Sequence, residues 1–132
     1  MRPALIALWF IGLTVSAGAQ PAPSPLDRGK YLVDNVGMCG DCHTPRDAHG
    51  EPIAARQLKG APLGFGPLHP MPFATAAPPI AGGPPCWTRE QLVHFLETGE
   101  RPGHEPPRPP MPAYRFSPAD AEAVATYLRS LD

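Results

Sequence analysis

Three stretches of this chain repeat apolar residues at helical spacing, and long aperiodic segments separate them. Over residues 26–36, Tyr31, Leu32 and Val36 can share one face of a short helix, with Asp27 near its positive end. Gly29 interrupts that helix at a cost of about 1 kcal/mol relative to alanine. It marks either a tolerated surface position or a close helix crossing. Thr88 opens the second helix as its cap, and Gln91 three residues later completes a capping box. Leu92, Phe95 and Leu96 form its apolar face, and Gly99 stops it. In the third helix Ser117 is the cap, with Pro118 and Asp120 in the first turn. Ala121, Val124, Ala125, Tyr127, Leu128 and Leu131 make its stripe, and the two alanines are small enough to let another helix approach. No strand pair is convincing.

Between residues 44 and 85 there is no sustained period of 3.6 or 2. Composition explains why: the chain of 132 residues holds 21 prolines and 13 glycines, which favour short helices joined by irregular loops over sheets. So long a loop is uncommon in a compact domain. It becomes reasonable if it wraps a large apolar group, with Leu63, Phe65, Leu68, Phe73 and Ile80 supplying contacts; otherwise these are core residues or part of a mobile loop. A small domain with so little regular structure also needs a staple.

Cys39-Gly40-Asp41-Cys42-His43 identifies that staple. C-x-x-C-H is the signature of covalent c-type haem attachment. The two thiols reach the two vinyl groups of one haem, and the following imidazole is placed to take one axial position on the iron. A zinc site would need two further ligands at compatible spacing, yet only Cys86 and scattered histidines remain. A redox dithiol would need a strand–helix context before Cys39, and none is present. His43 is expected to give one ring nitrogen to iron and to donate its other N–H to a backbone carbonyl in the loop after Asp47.

Arg2, the apolar run of residues 3–15 and the small residues Ala17 and Ala19 read as an export signal over residues 1–19, cleaved after Ala19. The competing reading is an uncleaved membrane anchor. A flexible leader over 20–25 and one domain over 26–132 follow. Twelve acidic residues against eleven basic ones, one fewer without Arg2, leave no basic stripe for nucleic acid.

Two methionines compete for the far side of the iron. Met111, in Pro109-Pro110-Met111-Pro112, lies in a stiff extended segment between two helices, and prolines on both sides restrict its backbone. Met71, in Pro70-Met71-Pro72, has the same flanks. Met38 is too near the attachment motif to reach the opposite face. His69, His94 and His104 read as surface or loop histidines.

The chain resembles the class I cytochrome c family, and within it the mono-haem domains that serve exported bacterial dehydrogenases. Arg28-Gly29-Lys30-Tyr31-Leu32, the Cys39 to His43 motif with Thr44-Pro45-Arg46-Asp47, and Leu58-Lys59-Gly60-Ala61 carry the resemblance. Trp87-Thr88, Met111-Pro112-Ala113-Tyr114 and Tyr127-Leu128-Arg129-Ser130-Leu131 complete it. It implies an all-α fold of short helices and long loops around one covalently attached haem c. Cys39 and Cys42 would hold the haem, with His43 proximal and Met111 distal. The first and last helices would cross near Gly29 and Tyr127. The implied activity is single-electron transfer in the periplasm, from a dehydrogenase to a downstream cytochrome or oxidase, with no substrate chemistry of its own. The chain would act as a free carrier or as part of a membrane-bound, multi-subunit respiratory complex. A haem-based sensor with a weak or open sixth position is the alternative. Cys86 departs from the family pattern, which often has glycine before the tryptophan; it is either buried and inert or a link to a partner.

Overall fold

The structure, a computed structural model, describes residues 21–131; the expected export signal lies outside the described residues. The first helix, α1, runs Pro25–Tyr31, capped by the Ser24 hydroxyl, which accepts the Asp27 N–H. It therefore starts within the stretch expected to be a flexible leader, because serine and proline fit the cap and first-turn positions. A π-helical turn, Leu32–Val36, continues it, closed by the Gly37 N–H donating 2.7 Å to the Leu32 carbonyl. Gly29, Leu32 and Val33 are the buried stripe, while Tyr31 and Val36 face solvent. The expected face of Tyr31, Leu32 and Val36 is thus corrected to one that meets the last helix.

The one-turn helix α2, Gly40–His43, carries the attachment motif. α3, Arg89–Thr98, has the complete Thr88–Gln91 capping box and ends at Gly99, whose φ of +70° is the left-handed conformation that favours glycine. α4, Pro118–Arg129, is capped by Ser117. Trp87 meets Phe95 edge to face at 5.2 Å, and the Phe116 N–H donates 3.0 Å to the Leu96 carbonyl, tying the chain before α4 to α3.

α1 and α4 touch backbone to backbone. A Cβ placed on Gly29 would lie 2.0 Å from the Ala123 carbonyl oxygen and 2.8 Å from the Tyr127 Cβ. The close approach falls at Ala123, a position outside the expected apolar stripe, and not at Ala121 or Ala125, which are buried elsewhere in the core. Arg28 clamps the same crossing by donating Nε to Asp120 Oδ1 (2.8 Å) and Nη2 to Oδ2 (3.2 Å). The guanidinium holds the Asp120 carboxyl below the usual carboxylate range. Both side chains are solvent-exposed enough that packing, not this pair, dominates the contact.

The long loop has internal anchors that its composition hides. Leu58 is fully buried at φ +58°, its N–H donates 3.0 Å to Thr44 Oγ1, and its carbonyl accepts from Ile80 (2.9 Å) and Ala81 (3.1 Å). A 3-10 turn, Ala54–Arg56, leads into it. Contrary to the expectation of no strands, β1, Ala61–Pro62, pairs antiparallel with β2, Ala76–Ala77. The pair is too short to leave a period-2 pattern. Among the described residues no helix is long and apolar enough to cross a membrane.

Gly29→Ala should lower the stability of the haem-loaded protein by about 2–3 kcal/mol in denaturant unfolding, because the clash is with backbone. An unchanged midpoint would contradict the close crossing. Thr44→Val should cost about 1–3 kcal/mol in the same measurement, by stranding the Leu58 N–H.

Candidate haem site

The attachment motif is presented by a sharp reversal. Met38, at φ +46°, breaks the first helix, and the Cys39 N–H then donates 3.0 Å to the Val33 carbonyl. Cys39 caps α2, and the His43 N–H donates 2.9 Å back to the Cys39 carbonyl. One helical turn therefore brings Cys39 and Cys42 to the same side, with His43 next to them. Both thiols are half-buried and unpaired.

His43 is buried, and its Nδ1 lies 2.7 Å from the Pro78 carbonyl oxygen. A carbonyl only accepts, so Nδ1 carries the proton and Nε2 keeps its lone pair. Burial lowers the His43 pKa more than the carbonyl contact raises it, which keeps the ring neutral at pH 7 as a metal ligand requires. The carbonyl does lie in the loop after Asp47; nothing in a proline-rich segment singles out Pro78 beforehand. On the other side of His43, its carbonyl accepts the Gly60 N–H at 2.8 Å. Gly60 sits at φ +84°, with Pro79 N only 2.8 Å from where a Cβ would be. Glycine is required there by close approach and by backbone conformation together.

Met38, Cys39, Cys42, His43 and Pro78 line one cavity of about 670 Å³. Leu32, Leu92, Phe95, Val124 and Leu128 form an apolar wall from the helices, and Leu63, Phe73 and Ile80 contribute from the loop. Phe65 and Leu68 do not line it: both are exposed, Leu68 at 96%. Their Gly- and Pro-flanked stretch projects outward between the two short strands.

The two competing methionines separate. Met111 lines the cavity and is partly buried against the core, whereas Met71 is 51% exposed and lies off the cavity wall. Met111 is carried on a turn, not the expected extended segment: its N–H donates 3.1 Å to the Arg108 carbonyl. The long loop grips that turn where the Ala74 N–H donates 2.7 Å to the Pro109 carbonyl. Met38 also borders the cavity, beside the attachment motif. His69, His94 and His104 are off the wall.

Tyr114 is a contributor that its motif alone does not explain. It lines the cavity, stacks on Phe116 at 5.0 Å, and donates its hydroxyl to the Gly37 carbonyl at 2.7 Å. It thereby ties the Met111 segment to the reversal before Cys39. Burial pushes its phenol up to about 12 and the Cys39 thiol up to about 11. Cys86 is exposed, which removes the buried reading, and its φ of +64° shows why glycine suits the place before Trp87.

An apolar cavity holding two free thiols and one buried neutral imidazole fits a haem attached through both cysteines. Among the described residues no group of three or more His, Cys, Asp or Glu side chains is placed to hold a metal ion.

Comparison with known proteins agrees. The cytochrome c family model matches residues 26–132. The fructose dehydrogenase cytochrome subunit of Gluconobacter japonicus is 36% identical over 80% of this chain and 22% of its own length. A diheme c-type cytochrome of Cereibacter sphaeroides is 30% identical over 78% of this chain and 34% of its own. A nicotinate dehydrogenase subunit of Pseudomonas putida is 29% identical over 99% of this chain and 11% of its own. The chain thus spans between about a tenth and a third of the length of these curated relatives. Fold, cavity and family match lead to one assignment: the chain belongs to the cytochrome c family, whose haem iron transfers electrons.

Proposed function

We propose that this chain carries single electrons through one haem c, held by Cys39 and Cys42, with His43 as proximal and Met111 as distal ligand. The observation that carries this reading is the convergence of Met111 and buried His43 on one apolar cavity, with Met71 exposed and off its wall. The single C-x-x-C-H motif of the chain supports a count of one haem.

The haem supplies an iron that gains or loses one electron when bound. The chain's residues set the conditions for that exchange. Pro78 fixes the His43 tautomer, so Nε2 needs no proton loss before ligation. Leu32, Leu92, Phe95, Val124 and Leu128 keep water from the site, which disfavours the more highly charged oxidised form. A soft thioether from Met111 favours the reduced form further. The similarity to a dehydrogenase cytochrome subunit supports reading the chain as a carrier without catalysis of its own.

Its proposed donor is a dehydrogenase and its acceptor another cytochrome or an oxidase. The names of the similar proteins from Gluconobacter japonicus and Pseudomonas putida support the donor class. The reading of residues 1–19 as an export signal supports a periplasmic location, free or in a membrane-bound complex.

Met111→Ala should lower the reduction potential, abolish the long-wavelength sulfur-to-iron absorption of the oxidised protein, and open the ferrous protein to carbon monoxide. Met71→Ala should leave all three unchanged. Rapid carbon monoxide binding by the unaltered protein would instead favour a ligand-binding sensor, and loss of the absorption in Met71→Ala would reverse the ligand assignment.

A further inference from the structure

The cavity wall is almost wholly apolar, but three charged side chains border it: Asp41, Arg101 and Arg108. Asp41 faces the Arg46 guanidinium at 3.5 Å, beside the attachment motif. The two arginines come from the opposite part of the chain, the connection between α3 and α4 that also carries Met111. A haem brings two carboxylates as well as two vinyl groups. Carboxylates beside an apolar wall need paired positive charge or they oppose binding.

We propose that Arg101 and Arg108 bind the two haem carboxylates, and that this charge pairing holds the turn that presents Met111. The proposal rests on the haem-carrier reading above. Two observations support the second half. The Arg108 carbonyl accepts the Met111 N–H at 3.1 Å, so the charged residue and the sulfur-bearing residue are opposite ends of one turn. Arg101 is already oriented: its Nε donates 3.2 Å to the Pro106 carbonyl, Glu105 accepts from its Nη2, and its backbone N–H donates 2.9 Å to the Glu105 carbonyl. A guanidinium held this way loses little freedom when it binds a carboxylate, which is the benefit of a preorganised planar fork. Arg115, the third arginine of the connection, does not border the cavity and donates to its neighbour's carbonyl, so it serves neither purpose.

The sign of the redox effect follows from charge. Positive side chains beside the haem disfavour its oxidised, more positive form, and they neutralise carboxylates that would favour it. Removing one arginine should therefore shift the equilibrium toward oxidised protein.

The test uses the full haem-loaded protein with Arg101→Gln, Arg108→Gln, the two corresponding lysine variants, and Arg56→Gln as control. Arg56 lies in the 3-10 turn and does not border the cavity. Spectroelectrochemical titration should show each glutamine variant several-fold more oxidised than the unaltered protein at a fixed potential. Lysine should restore most of the shift, and Arg56→Gln should show none. Arg108→Gln should also bind carbon monoxide faster in its ferrous form. Equal shifts in Arg56→Gln, or no shift in either cavity variant, would overturn the proposal while leaving the carrier reading intact. Failure of lysine to restore the shift would also overturn it, since that outcome marks packing and not charge. The carrier reading fails separately, if the unaltered protein shows no sulfur-to-iron absorption.

Discussion

The backbone contact between α1 and α4 at Gly29 is the constraint on which the rest of the molecule depends. With the Ala123 carbonyl 2.0 Å from where a side chain would begin, no residue but glycine permits this approach. The contact joins the two ends of the domain. It sets Leu32 and Val33 on one side and Val124 and Leu128 on the other, all four in the buried core. The π turn then hands the chain to Met38, whose reversal delivers Cys39 into the cavity. The thiols stand where they do because two helices can touch.

The second support is the long loop, which works as a fixed strap. Leu58, buried with three backbone and side-chain partners, anchors its middle; Pro78 supplies the oxygen to His43; Ala74 grips Pro109. The Leu58 bonds tie the strap to itself, while those of Pro78 and Ala74 join it to His43 and to the Met111 turn. The His43 side of the cavity, the Met111 turn and the core are thereby coupled through a segment that has almost no regular structure.

Much of this architecture is legible in the chain itself. Caps at Thr88 and Ser117, the stop at Gly99 and the attachment motif are local signals, and local signals survive into the structure. What stays hidden is non-local. The face of α1 depends on the partner it meets, so Tyr31 and Val36 read as equivalent to Leu32. The anchoring of Leu58 depends on Thr44 and on Ile80, neither near it in sequence. Met71 and Met111 share the same proline flanks, so beyond the family resemblance it is their place relative to the cavity that separates them. No sequence pattern singles out Arg101 and Arg108 in a proline-rich connection; their place on an apolar wall does.

The central claim is that Met111 gives its sulfur to the iron opposite His43. Carbon-13 labelling of the methionine methyl groups, followed by NMR of the reduced haem-loaded protein, tests it most directly. A methyl bound above the haem ring is shifted far upfield by the ring current. The account predicts one such resonance, present in Met71→Ala and Met38→Ala and absent only in Met111→Ala. No shifted methyl, or one that disappears with Met71, would contradict it.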